Sequence, residues 1–283
     1  MKLVSYQRAG RDGFGAVVDG GVIDLGAALG GRFADLKALL AADALGEARL
    51  AIAGRRADFA LDSVTLLPVI PNPGKIWCCG LNYGDHVRET NREVTEQPTF
   101  FLRVADSQVG HGQAIVRPHE STQLDYEAEI AVVIGKAGRR IAEADAFEHI
   151  AGYACYNDGS VRDWQKHTSQ WVPGKNFWRT GGFGPWMVTA DEIPANTVMS
   201  LVTRLNGVEM QRATTDLMIH SIARQIAYTS TIAPLQPGDV IVTGTPGGVG
   251  ARRTPPVWMK AGDVVEIEVD RVGVLRNPIV DEA

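Results

Sequence analysis

Residues 124–135, with the sequence LDYEAEIAVVIG, constrain this chain more than any other segment. Side chains alternate along a strand, so Glu127 and Glu129 share one face with the alternate apolar residues that follow. Residues 130–134 form an unbroken apolar run, which indicates a strand with two apolar faces. Two carboxylates therefore sit side by side where a strand enters a core.

This pair has two interpretations. Burying two like charges together is costly unless a positive charge lies between them. Mg²⁺ or Mn²⁺ would supply that charge, because hard divalent cations favour carboxylate oxygens. The alternative is a solvated strand end, since acidic residues in that position are usually exposed.

Strand patterns outnumber helix patterns and do not alternate with them regularly. Strands are indicated at residues 130–134, 240–242 and 264–269, and helices near residues 83–91, after Glu143 and over residues 215–229. This favours an α+β fold that is mostly β over a doubly wound sheet. The PNPG sequence at 71–74 is the best boundary, so we expect a small N-terminal α+β domain at residues 1–70 and a larger domain at residues 71–283.

Composition excludes several classes of protein. The formal net charge is −5, from 28 Lys+Arg and 33 Asp+Glu, and no basic block would suit nucleic acid or a membrane surface. Three cysteines do not make a disulfide framework, and no apolar run is long enough to span a bilayer. We therefore expect a cytoplasmic protein that binds neither nucleic acid nor membranes.

Three further segments carry candidate chemistry. Asp158 follows a short strand and would complete a three-carboxylate face, or else form an Asp-Gly turn. His86 and Glu89 are i,i+3 neighbours if residues 84–91 are helical, which suits a general base, although a surface pair is the commoner outcome. Lys175 follows a glycine in a loop and would hold an anion, although most loop lysines are merely solvated.

Residues 243–250, TGTPGGVG, follow a strand and are dense in glycine. They match no phosphate-binding fingerprint, so they form either a close approach to a small anion, with the Thr245 hydroxyl as donor, or a tight structural loop. Zinc-type Cys/His spacing and a G-x-S-x-G nucleophile elbow are both absent.

Together these segments resemble the fumarylacetoacetate hydrolase family from residue 75 to residue 278. The resemblance rests on seven ordered matches: CGLNY at 79–83 with His86 and Glu89, PTFF at 98–101, DYEAE at 125–129 with VIGK at 133–136, ND at 157–158 with RDWQ at 162–165, GK at 174–175, GPW at 184–186 and TGTP at 243–246.

The resemblance implies a mixed β-roll catalytic domain, a small N-terminal domain and a homodimer. It implies Mg²⁺ or Mn²⁺ held by Glu127, Glu129 and Asp158. It also implies that His86 and Glu89 form a water-activating dyad on a lid segment.

Further positions match the family's active-site lysine, at Lys175, and its substrate contacts, at Gln165 and Thr245. Two departures stand out. The sequence IWCC at 76–79 lacks the additional acidic ligand of fumarylacetoacetase proper, which places the chain with the small bacterial-type relatives. Arg103 stands where many of these have Lys, so we expect Arg103 to grip a substrate oxygen differently.

The resemblance implies hydrolysis of a carbon–carbon bond in a β-diketo acid such as an acylpyruvate or fumarylpyruvate, within aromatic or sugar-acid catabolism. The alternatives are an oxaloacetate-type decarboxylase or a 2-hydroxydienoate isomerase that uses the same enolate chemistry. A non-catalytic relative that binds a dicarboxylate is the least favoured. Three aromatic residues at 177–183 would either accept a substrate tail or serve as core and dimer contacts.

Overall fold

The computed structural model describes residues 1–283 and shows a mostly β fold with mixed sheets, as predicted. The strands are β1 (Lys2–Arg8), β2 (Arg11–Val18), β3 (Gly21–Asp24), β4 (Phe59–Ala60), β5 (Thr65–Leu66), β6 (Ile76–Gly80), β7 (Thr99–Arg103), β8 (Gln108–Val109), β9 (Ile115–Arg117), β10 (Leu124–Asp125), β11 (Ala128–Ile134), β12 (Ile150–Asn157), β13 (Ser160–Val161), β14 (Gly181–Thr189), β15 (Ser200–Leu205), β16 (Val208–Thr214), β17 (Val240–Val242), β18 (Val264–Val269) and β19 (Gly273–Asp281). The α-helices are α1 (Leu25–Ala28), α2 (Leu36–Ala41), α3 (Leu45–Ile52), α4 (Gly84–Glu89), α5 (Val172–Lys175) and α6 (Ile222–Ile232). None of the helices has both the length and the apolar composition that crossing a membrane requires.

Two large sheets form the molecule. The main sheet runs in the order β4-β3-β2-β1-β14-β12-β11-β17-β6-β7, with β5 beside β1 and β8 beside β14. A second sheet runs β16-β15-β18-β19-β9, and β10 pairs with β13 apart from both. Most pairs are antiparallel, but β17 with β6, β14 with β8 and β19 with β9 are parallel, so the sheets are mixed.

Strand β11 is buried along its whole length because layers cover both of its faces. On one face Ile130 belongs to the same core as Ile267 of the second sheet. On the other face Val133 belongs to the same core as Leu39 of helix α2. The apolar run read from the sequence is therefore a central strand between a sheet and the N-terminal helices.

The first seventy residues pack against the rest of the chain and extend its main sheet. Strand β1 pairs with β14 of the main sheet, and α2 shares its core with β11. The division into a small N-terminal domain at residues 1–70 and a larger domain at residues 71–283 stays a prediction.

Two predicted helices differ from the structure. The helix expected over residues 215–229 begins at Ile222, because Ser221 caps it by accepting a 3.1 Å hydrogen bond from the Arg224 amide, while Thr215–Leu217 form a 3-10 turn. The helix expected after Glu143 is a 3-10 helix, Glu143–His149.

Candidate active site

The pairing of β11 with β12 brings the three predicted carboxylates together. Glu127 immediately precedes β11 and Asp158 immediately follows β12, and the two strands run antiparallel. The Asp158 amide donates to the Glu127 carbonyl at 2.9 Å, which fixes the junction. Candidate ligand atoms of Glu127, Glu129 and Asp158 lie within 4.8 Å of one another, and all three residues are buried. The alternative of a solvated strand end is therefore wrong.

A buried lysine bridges two of these carboxylates. Lys175, on the four-residue helix α5, donates from Nζ to Glu127 Oε2 at 2.7 Å and to Asp158 Oδ2 at 2.5 Å. The ring of Phe101 lies 4.9 Å from the same ammonium. Burial opposes the charge on Lys175, but Asp158 and Glu127 raise its pKa overall. The interpretation of Lys175 as a solvated loop residue is therefore wrong.

Arg103 lies behind Asp158, away from the cavity. Its guanidinium is fully buried and donates to the Asp158 carboxylate, to the Gly159 carbonyl at 3.0 Å and to the Thr180 hydroxyl at 3.1 Å. This placement differs from the predicted substrate contact. The fork of donors instead fixes the orientation of a candidate metal ligand.

A second arginine holds Glu127 from the other side. Arg162 lies 2.6 Å from Glu127 Oε1 through Nη2, and it donates to Asp125 Oδ2 at 2.8 Å and to Gln165 Oε1 at 3.0 Å. Burial would raise the pKa of Glu127, but the charges of Lys175 and Arg162 outweigh burial and lower it.

Glu129 differs because no cation pairs with it. Its carboxylate accepts a hydrogen bond from the Gly244 amide and makes no salt bridge. Burial, followed by the charges of Asp158 and Glu127, raises the pKa of Glu129 well above its ordinary value.

The cluster is therefore one positive charge short. It contains four carboxylates, counting Asp125, and three cations, Arg103, Arg162 and Lys175. The donor set is all oxygen and buried, and one carboxylate has no counter-charge. These properties fit a hard divalent cation such as Mg²⁺ or Mn²⁺.

The predicted dyad forms on helix α4. His86 Nδ1 lies 2.7 Å from Glu89 Oε1, and the two residues are i,i+3 neighbours. Glu89 also accepts a hydrogen bond at 2.8 Å from the Gly248 amide. Because the carboxylate is held at both oxygens, it fixes the orientation of the imidazole ring.

The glycine-dense loop after β17 approaches the cluster closely. Gly244 has a φ of +104°, and a Cβ there would lie 2.5 Å from the Asn82 Cβ. Glycine at 244 thus lets the backbone amide reach Glu129. The next residue, Thr245, is buried and lines the cavity described below.

Several of these groups line one cavity of about 760 Å³. Its lining includes His86, Glu127, Glu129, Lys175 and the predicted substrate contacts Gln165 and Thr245. Asp158 lies beneath Lys175 and does not reach the cavity wall.

The aromatic run at 177–183 lies outside the cavity lining. Phe177 packs edge-to-face on Trp164 at 5.0 Å, and Trp178 is exposed and stacked under the Arg179 guanidinium. The run therefore does not form a substrate tail pocket in this cavity, and its predicted role in dimer contacts stays a prediction.

Sequence reasoning missed three residues of this network. Asp125 precedes Glu127 by two positions, so the same alternation that pairs the glutamates would have placed it on their face. Arg162 lies in the RDWQ motif at 162–165, but nothing in the neighbouring sequence marks it as buried. Gln211, on β16 of the second sheet, donates to Thr245 Oγ1 at 2.9 Å, and no sequence signal connects it with the site.

Comparison with known proteins identifies the family. The family profile described as Fumarylacetoacetate (FAA) hydrolase C-terminal matches residues 75–280. The chain belongs to the fumarylacetoacetate hydrolase family, as the resemblance implied.

Individual relatives include more than one chemistry. The mitochondrial oxaloacetate tautomerase fahd2 of Xenopus laevis is 40% identical over 289 residues, which cover 99% of this chain and 90% of that protein. Among solved structures, a fumarylacetoacetate hydrolase from Exiguobacterium antarcticum aligns with a TM-score of 0.83 and 31% identity, with both chains fully covered. Maleylpyruvate hydrolase from Sphingobium sp. SYK-6, in complex with manganese(II) and pyruvate, aligns with a TM-score of 0.83 and 27% identity, again with both chains fully covered.

Proposed function

We propose that this protein is a divalent-metal-dependent enzyme that interconverts the keto and enol forms of a 2-oxo diacid of the oxaloacetate class. The observation that carries the proposal is one cavity lined both by His86, which Glu89 orients, and by Glu127 and Glu129 of the carboxylate cluster. The cavity also contains a thiol, Cys79, but burial raises its pKa, so it is a poor nucleophile. The site is suited to moving a proton rather than to forming a covalent intermediate.

The similarity to the tautomerase favours tautomerisation over hydrolysis. That relative is 40% identical across 99% of this chain, which is more than the 27% identity shared with maleylpyruvate hydrolase. The predicted hydrolase activity therefore becomes the second candidate.

The residues that line the cavity and those directly behind its wall take distinct roles in this reaction. Glu127, Glu129 and Asp158 would hold Mg²⁺ or Mn²⁺, which would supply Lewis-acid polarisation of the 2-oxo acid oxygens. His86 uses Nε2 to exchange the proton, because Glu89 occupies Nδ1. The C3–H bond of the keto form breaks and the O–H bond of the enol forms, so no other reactant is needed.

Positive charge at the cavity suits a dianionic substrate. Arg92, Lys166 and Arg252 come from three separate segments, line the cavity and make no salt bridge. Lys175 and Arg162 also line the cavity, although both already contact carboxylates. An anionic acid is attracted to such a cavity even though the chain as a whole is acidic.

The decay of enol oxaloacetate, followed by its ultraviolet absorbance, tests the proposal. We expect the protein with Mg²⁺ or Mn²⁺ to accelerate the decay, and EDTA to remove the acceleration. His86→Ala serves as the matched inactive control. Decay at the uncatalysed rate with metal present would refute the tautomerase proposal.

Hydrolysis of an acylpyruvate is the second candidate. The cavity of about 760 Å³ is of the size that accommodates drug-sized ligands, and it exceeds what a four-carbon acid needs. In this reaction His86 would take a proton from water instead of from carbon, and the water would attack the distal carbonyl. Assays with acetylpyruvate, fumarylpyruvate and oxaloacetate, with pyruvate as the measured product, separate hydrolysis and decarboxylation from tautomerisation.

We also propose that the protein is a homodimer. Three exposed apolar residues lie together: Leu102 on the edge strand β7, Val104 just after it and Val172 at the start of α5. The Asn176 side chain hydrogen-bonds to the backbone of all three at 2.7–3.1 Å. Light scattering tests this proposal, since Leu102→Glu with Val104→Glu should yield monomers. The cytoplasmic location stays a prediction, and the Xenopus relative is named as mitochondrial.

A further inference from the structure

Gln211 lies on β16 of the second sheet, yet its side chain contacts Thr245, a residue that lines the active-site cavity. It is 2% exposed and stands opposite Thr203 of β15. The register of these two strands shifts between Thr203 and Arg204, next to this pair. Such irregularities change the direction in which side chains point, and here the Gln211 side-chain amide points towards the main sheet.

The hydrogen bonds of Gln211 fix which atom of its amide points where. Oε1 accepts from the Ala128 amide at 3.0 Å and from the Thr203 hydroxyl at 2.6 Å. Nε2 donates to the Pro246 carbonyl at 2.8 Å. A backbone N–H can only donate and a carbonyl can only accept, so the amide cannot be flipped.

The second hydrogen of Nε2 determines the role of Thr245. It points to Thr245 Oγ1, which lies 2.9 Å from Nε2, so the hydroxyl accepts this hydrogen bond. A hydroxyl has one hydrogen of its own, and the Thr245 hydroxyl donates to no acceptor within the protein. Since Thr245 lines the cavity, that hydrogen is available to a ligand.

We propose that Gln211 is a positioning residue that holds Thr245 as a hydrogen-bond donor to a carboxylate or carbonyl oxygen of the 2-oxo acid. This inference rests on the proposed function, because it assumes that the acid occupies this cavity. Gln211 also holds Ala128, the residue between Glu127 and Glu129, so one amide links the substrate donor with the ligand strand.

Gln211→Glu is the sharpest perturbation. Glutamate keeps the shape and keeps an oxygen for Ala128 and Thr203, but it replaces the donor facing Thr245 with an acceptor. The Thr245 hydrogen then turns to the new carboxylate and leaves the ligand. Thr245→Val removes the hydroxyl, Thr245→Ser retains it, and Thr203→Val removes a bond on the far side of Gln211 as the matched control.

The readout is binding of oxalate in the presence of Mn²⁺, by titration calorimetry, with Mn²⁺ affinity measured alongside. We expect Gln211→Glu and Thr245→Val each to weaken oxalate roughly tenfold to a hundredfold, the range for a hydrogen bond to a charged group. The double variant should lose no more than either single variant, and Mn²⁺ affinity should be unchanged. Thr245→Ser and Thr203→Val should bind oxalate like the wild type.

Wild-type oxalate affinity in Gln211→Glu, or an additive loss in the double variant, would overturn the inference. If Gln211→Glu does not fold, the comparison of Thr245→Val with Thr245→Ser still decides, because equal affinities would show that no hydroxyl donates. Absence of oxalate binding to the wild-type protein with Mn²⁺ would instead overturn the proposed function, and the inference with it.

Discussion

Replacing Glu129 with Gln separates two effects at the carboxylate cluster: repulsion between its buried charges and binding of a metal ion. Glu129 is 1% exposed, and its one strong contact is with the Gly244 amide. Gln keeps an oxygen for that amide and nearly the same shape. It removes a negative charge that burial, Asp158 and Glu127 disfavour. Without metal, Glu129→Gln should therefore be at least as stable as the wild type.

With metal present, Glu129→Gln should instead be less stable than the wild type. Mutating residues that merely support metal ligands costs about 10–100-fold in affinity, so loss of a ligand charge should cost about 100-fold or more. At a Mn²⁺ concentration about 100 times the wild-type dissociation constant, binding stabilises the wild type by about 2.7 kcal/mol. A 100-fold weaker site gives about 0.4 kcal/mol at that concentration. For a chain of 283 residues, this difference makes the Mn²⁺-induced rise in Tm smaller by roughly 4 °C in Glu129→Gln than in the wild type.

Differential scanning fluorimetry with Mn²⁺ and with EDTA measures both effects. Glu266→Gln, a strand carboxylate outside the cluster, is the matched control and should keep the full Mn²⁺-induced shift. Retention of that shift in Glu129→Gln would contradict the assignment of Glu129 as a metal ligand. A clearly lower stability than the wild type in EDTA would contradict the expected relief of charge repulsion.

Three other changes have defined outcomes. His86→Ala should lower kcat about 10²–10⁴-fold and leave oxalate binding intact, with a smaller loss for Glu89→Gln; equal turnover in steady-state assays would remove the dyad from the mechanism. Arg103→Met should lower the free energy of unfolding by about 3–5 kcal/mol, because the charge of buried Asp158 loses a partner, and an unchanged denaturant midpoint would contradict this. Because the pKa of Glu129 is raised, protons compete with the cation, so Mn²⁺ affinity should increase with pH and binding should release protons. Calorimetry in buffers of different ionisation enthalpy measures the protons released, and an absence of release would contradict this expectation.

Local patterns predicted much of the fold and the carboxylate cluster. The strands at Val240–Val242 and Val264–Val269 have the predicted bounds, because uninterrupted or alternating β-branched residues end there at turn residues. Alternation along β11 placed Glu127 and Glu129 on one face, and the i,i+3 spacing placed His86 beside Glu89.

What the sequence did not reveal depends on contacts between distant segments. Lys175 lies between Glu127 and Asp158 only because helix α5 packs against the ends of β7 and β13. Arg103 faces Asp158 instead of the cavity, and Gln211 arrives from another sheet. Strand pairing and the packing of one sheet on another determine these positions, and neither is encoded in spacing along a single segment.

The central claim is metal-dependent proton transfer at the carbon next to a 2-oxo acid carbonyl. Exchange of the methyl protons of pyruvate with D₂O, followed by proton NMR, measures this step directly and does not depend on the natural substrate. We expect exchange with the wild-type protein and Mg²⁺, no exchange above background after chelation, recovery when Mg²⁺ is restored, and a loss of about 10²-fold or more in His86→Ala. Exchange at the background rate with Mg²⁺ present, or an equal rate in His86→Ala, would contradict the account.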